Sequence, residues 1–240
     1  MYQNDSTKKI IITLVCLFLA YWCYQLYVSG ELLGKLLILP GLILGLTIHE
    51  FSHAKASDKF GDPTPENQGR LTLNPLAHLD PVGTIFLITA GFGWGKPVEI
   101  NPSYYRNPAK ESMLVALAGP VSNFILAFIL LVANAIIEHF LPDDVLWISI
   151  VQLMVYLGAS INLSLGVFNL LPFPPLDGSK IFGYFLKGKA KEVLWTLERY
   201  SWFILMFLFM TELPAKIIAP VINVIANGMQ WLIDFIFSFI

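Results

Sequence analysis

The chain has 240 residues, 56% of them hydrophobic and only 13% charged, with a mean hydropathy of +0.66. Soluble domains carry about 25% charged residues, so this composition excludes a soluble enzyme and describes a polytopic membrane protein. A net charge of −2 without a large basic patch excludes nucleic acid as a partner, and the two cysteines, Cys16 and Cys23, share one apolar run and imply no disulfide framework.

In chain order, a short polar start precedes an apolar run over residues 10–28, long enough to span a bilayer. Tyr21, Trp22, Tyr24 and Tyr27 suit an interfacial anchor, and no small-residue cleavage site follows, so this run is expected to be a retained first helix. A turn at 29–35 leads to a second span at 36–56, loosened early by Pro40, Gly41 and Gly45. Residues 57–80 are polar and turn-rich, with Arg70-Leu71-Thr72-Leu73 expected as a short strand. The apolar piece at 81–92 is too short to span as a helix and reads as re-entrant or interfacial. Gly91, Gly93 and Gly95 match no phosphate-binding fingerprint and mark turns around a small sheet.

Further spans are expected at 112–137, 145–171, 193–213 and 217–240, giving six in all. Pro172, Pro174 and Pro175 end the fourth and force an extended stretch before Asp177-Gly178. With a cytoplasmic N-terminus, this plan puts thirteen of the fifteen Lys and Arg residues on the cytoplasmic side, leaving only Lys35 and Lys216 opposite. Six spans return the C-terminus to the cytoplasm. The ends of the second and fourth spans then meet in the cytoplasmic half, in an integral protein of the plasma membrane.

The chemistry concentrates at His49-Glu50-Phe51-Ser52-His53. On a helix, His49 and His53 share one face a turn apart and can hold one metal ion, while Glu50 can take a proton from a water at that ion. A catalytic zinc usually has three protein ligands. Asp177 is the best third, because a carboxylate after a proline-fixed stretch can point back into the bundle; the same position also suits a helix N-cap or turn. His78 lies in a loop and is a candidate outer partner or substrate contact. Asn123 and Asn169 can each donate to an oxyanion or hold a substrate backbone, or simply bond between helices.

Together these motifs resemble those of the site-2 protease family of intramembrane zinc metalloproteases, the M50 peptidases, in the compact group without an inserted PDZ domain. The likeness rests on His49-Glu50-Phe51-Ser52-His53, Gly119-Pro120-Val121-Ser122-Asn123 and the stretch from Asn169 through Pro172, Pro174 and Pro175 to Asp177-Gly178. It is supported by the loop from Leu71 through Asn74-Pro75 and His78 to Thr84 and by Gly95-Lys96-Pro97-Val98, and it covers residues 42–185 of what reads as a single membrane-embedded domain, 1–240. The resemblance implies an all-α bundle of about six spans with a membrane-embedded β-hairpin region between the second and third. It implies one zinc per chain on His49, His53 and Asp177, with Glu50 as general base and Asn169 in substrate handling. The implied substrates are transmembrane proteins cut within or near their spans, in contact with membrane lipid. The rival readings are a metal transporter using the same ligands, a zinc-binding relative that does not cleave, and a different class of membrane zinc peptidase acting on a soluble or lipid-anchored chain, with a third ligand other than Asp177.

Overall fold

A computed structural model describes residues 9, 13, 17, 20, 21, 24–81, 83, 84, 95–142, 144–211 and 213–239. The first expected span and the glycine-rich turn therefore lie mostly outside the described residues, as does the piece at 81–92. Among the described residues the fold is helical, and four helices are long and apolar enough to cross a membrane. Helix α1 is Glu31–Lys59, α2 Thr64–Asn67, α3 Pro108–Phe140, α4 Leu146–Asn169, α5 Asp177–Phe185, α6 Lys189–Glu198, α7 Ser201–Met210 and α8 Leu213–Phe237.

Local sequence explains the ends. Gly30 (φ 76°) takes the left-handed conformation that admits the chain to α1, several residues before the expected start. Gly61 (φ 95°) turns it away afterwards. Asn107 caps α3 through a bond from the Lys110 amide, with Pro108 at the first position, where its missing N–H costs nothing. Within the spans, the Thr47 and Ser52 hydroxyls donate to the Ile43 and Ile48 carbonyls, which satisfies them without water.

The bundle core is α1, α3 and α4. Gly41 of α1 faces Gly158 of α4 so closely that a Cβ on Gly158 would stand 3.3 Å from the Gly41 Cα. Small residues let membrane helices approach this way, and dispersion contacts then replace lost lipid contacts. Successive contacts set the directions. Gly41 meets Gly158 and Gly45 meets Asn162, so α1 and α4 run parallel; His49 meets Asn123 and His53 meets Val115, so α3 opposes α1.

Helix α8 closes the bundle. Ile218 packs with Val167, Leu171 and Leu176, whereas Ile233 packs with Leu131 and Ala159, and Phe237 meets His139. It therefore starts at the end of the bundle that holds His53 and finishes at the other. This corrects the six-span plan, in which the last helix returned to the histidine end. The cause lies in the expected fifth span, which is two short helices, α6 and α7, broken at Arg199-Tyr200. Ten residues of α7 reach about 15 Å, half of a hydrocarbon core of about 30 Å.

Two smaller corrections fall in the connection from α1 to α3. Arg70 to Leu73 form no strand; the chain bends at Leu71 and Thr72. An isolated antiparallel bridge, Leu79 to Gly95, is what the described residues show of the expected hairpin. Buried polar contacts hold the connection instead. The Asp62 carboxylate accepts from the Ser57 hydroxyl (2.8 Å) and the Thr64 (2.9 Å) and Asn101 (2.7 Å) amides, and the Tyr105 hydroxyl donates to Ser57. Burial works against the Asp62 charge, but these donors hold its pKa below the ordinary carboxylate value. Desolvation raises the pKa of the Tyr105 phenol in turn.

Candidate metal centre

Helix α1 brings His49 and His53 to one face, and the chain leaving α4 brings Asp177 against them at the start of α5. The two Nε2 atoms lie 3.0 Å apart, and Asp177 Oδ2 is 3.1 Å from one and 3.2 Å from the other. All three side chains are nearly shielded from solvent. Four ligands placed tetrahedrally about 2.0–2.1 Å from zinc stand about 3.3 Å from each other. The observed triangle has nearly that edge and leaves one corner open.

The ring nitrogens are committed in the sense a metal requires. His53 Nδ1 is 2.7 Å from the Val115 carbonyl, which can only accept, so that nitrogen carries the proton and Nε2 keeps its lone pair. His49 Nδ1 is 2.6 Å from Asn123 Oδ1, with the same result. Asn123 therefore stands behind a histidine, away from any oxyanion. Its amide nitrogen donates to the Gly45 carbonyl and to Asn162 Oδ1.

Gly119 makes room for the rings. A Cβ there would collide with His53 Nε2 and come within 2.6 Å of His49 Cε1. Gly178 does the same for the carboxylate's loop, where a Cβ would strike the Leu170 and Leu171 carbonyls. The donor set, the free lone pairs and the space kept open by Gly119 fit one tetrahedral metal ion.

A cavity of about 160 Å³ opens on this triangle, lined among others by Glu50, Pro97, Val98, Asn169 and Lys180. A water takes about 30 Å³, so a peptide group and a nucleophile fit together. Glu50 Oε2 accepts from the Val98 amide at 3.0 Å, which fixes the carboxylate at the rim. Asn169 donates to the Leu165 carbonyl one turn back and also lines the cavity.

His78 is elsewhere. It is fully buried in the connection, with Nε2 bonded to the Thr72 carbonyl and its own carbonyl accepting from the Lys96 amide. It braces the stretch that carries Val98 and is not among the cavity-lining residues. Sequence reasoning missed Lys180 and Asn162, and it noted Val98 only within the run Gly95-Lys96-Pro97-Val98, without its bond to Glu50. Lys180 had a visible signal, three positions after Asp177 on the same helix face; Val98 acts through its backbone and had none.

The geometry agrees with comparisons to known proteins. The model of peptidase family M50 matches residues 134–211, which hold Asn162, Asn169 and Asp177. A Bacillus subtilis protein named "Putative zinc metalloprotease YwhC" is 37% identical over 82% of this chain and 90% of its own length. The chain belongs to peptidase family M50. Similarly named proteins include Rip2 of Mycobacterium tuberculosis, 30% identical over 82% of this chain and 73% of its own, and MJ0611 of Methanocaldococcus jannaschii, 30% identical over 73% and 84%. No solved structure gives a significant match.

Proposed function

We propose that this M50 peptidase is a site-2-type intramembrane zinc protease that cuts transmembrane protein substrates within or near their spans. The observation that carries the reading is the convergence of His49 Nε2, His53 Nε2 and Asp177 Oδ2 with both Nδ1 positions already engaged. His49, His53 and Asp177 would hold one zinc ion. When bound, the ion supplies a Lewis acid at the scissile carbonyl and lowers the pKa of water at the site towards about 7.

The chain's own groups do the rest. Glu50, held by the Val98 amide, takes the proton of the attacking water and returns it to the leaving amine as the C–N bond breaks. Asn169 and Lys180 line the cavity, where their N–H groups can hold the substrate carbonyl. The stretch from Gly95 to Asn101, outside any helix, offers backbone partners to a substrate that has unwound, as an added strand would. A helical substrate must unwind first, because its carbonyls are spent on internal bonds.

Charge supports a membrane orientation. Residues 55–110 and 180–216, which flank the histidine end of the bundle, carry twelve of the fifteen Lys and Arg residues. That end faces the cytoplasm, and with it the catalytic cavity. A transporter reading is not favoured, since the family is one of peptidases.

The test is co-expression with single-span membrane proteins, comparing wild type with Glu50→Gln. A shortened product is expected with wild type alone, while the variant keeps its zinc and loses cleavage by about 10²-fold or more. A metal-loaded Glu50→Gln protein that still cleaves would remove Glu50 from the role of base.

A further inference from the structure

We infer that Asn162 is a positioning residue for metal binding, orienting the Asn123 amide and through it fixing the ring nitrogen that His49 presents. The inference rests on the metalloprotease reading but concerns a residue that touches neither metal nor substrate.

The argument starts from two backbone carbonyls. Asn162 Nδ2 lies 3.0 Å from the Gly41 carbonyl and 2.8 Å from the Gly158 carbonyl. Carbonyls only accept, so the amino end of Asn162 must face them and its Oδ1 must face the other way. Asn123 Nδ2 donates to that oxygen at 2.9 Å. Asn123 Oδ1 is thereby turned to His49 Nδ1 at 2.6 Å, and the imidazole must carry its proton there. The lone pair is left on Nε2, facing His53 and Asp177.

Reversing the Asn123 amide would set its oxygen against both the Gly45 carbonyl and Asn162 Oδ1. It would also demand a lone pair on His49 Nδ1 and move the proton to Nε2, where a ligand needs none. The Gly45 carbonyl alone is a weaker anchor: it lies 3.2 Å from Asn123 Nδ2 and sits within α1, where helical bonding also claims it. Asn123 and Asn162 are both fully buried, so water does not compete for these bonds. Gly45 also keeps the path open, since a Cβ there would collide with Asn162 Oδ1.

The experiment measures zinc affinity by chelator competition on detergent-solubilised protein, with thermal melts of the metal-free forms. Asn162→Leu is expected to bind zinc about tenfold more weakly. Asn123→Leu should lose at least as much, and the double variant no more than Asn123→Leu alone, because the two act in series. A purely structural Asn162 would lower the melting temperature with zinc affinity within about twofold of wild type; that result, or an additive double variant, overturns the inference. If Asn162→Leu does not fold, 15N spectra of histidine-labelled, metal-free wild type decide, with His49 assigned by its loss in His49→Gln. A proton on Nδ1 supports the relay and a proton on Nε2 ends it. Wild type that takes up no zinc would instead sink the metalloprotease reading, and the same spectra would still test the relay.

Discussion

At the residue scale, the metal centre depends as much on an absent side chain as on its donors. Gly119 lies where any Cβ would enter the space of His53 Nε2 and His49 Cε1. Alanine raises helix propensity there by about 1 kcal/mol, so Gly119→Ala should keep its helix content by circular dichroism. The same variant should bind zinc at least about tenfold more weakly, because both rings must move. Zinc retained through dialysis at the wild-type level would show that the rings have slack the packing does not suggest. The two histidines were legible in the sequence because a four-residue spacing on a helix is a local fact. Asn162 was missed, and the sequence left open whether Asn123 holds substrate or bonds between helices, because what each amide does is decided by another helix.

At the scale of elements, the connection from α1 to α3 places the stretch that holds Glu50, and Asp62 organises that connection. Its carboxylate joins the end of α1, through Ser57, to Asn101, three residues beyond Val98. Asp62→Asn should cost about 1–3 kcal/mol at neutral pH, the range for buried bonds to a charged group. The sign with pH follows from the lowered pKa. The carboxylate's contribution is complete above its unfolded value near 4 and is withdrawn as pH falls through the lower folded value. Melting curves of wild type and Asp62→Asn should therefore differ by a constant margin from pH 7 to about pH 5 and converge in stronger acid. A margin unchanged down to about pH 2–3 would mean that the charge is not what holds the loop. The sequence did not reveal this: its turn residues showed that 57–80 is irregular, while the partners of Asp62 other than nearby Thr64 come from 39 residues downstream and from α1. The break between α6 and α7 did leave a mark, the polar interruption Glu198-Arg199-Tyr200-Ser201, but the apolar residues on either side of it together have the length of a span.

At the scale of the whole molecule, hydropathy finds spans and cannot give their directions. The first half of the bundle was readable: α1 and α4 descend to one end and bring His53 and Asp177 together there, as the loop charges required. The last helix was not, because its direction depends on whether the short, apolar α7 crosses. Packing decides it. Ile218 lies beside Leu171 and Leu176 at the catalytic end, and Phe237 lies beside His139 at the far end. This arrangement also moves Lys216 to the side with the other cations, leaving Lys35 as the described Lys or Arg at the far end of α1. The bias towards a cytoplasmic catalytic end thus becomes stronger than in the six-span plan. We therefore expect a reporter fused after Ile240 to read as non-cytoplasmic, while one inserted at Gly188, in the exposed turn before α6, reads as cytoplasmic. Alkaline phosphatase and green fluorescent protein fusions at the two positions give opposite signals for each compartment. Two cytoplasmic readings would mean that α7 and its neighbours cross the bilayer, and that α8 does not pack along α3 and α4 in the membrane.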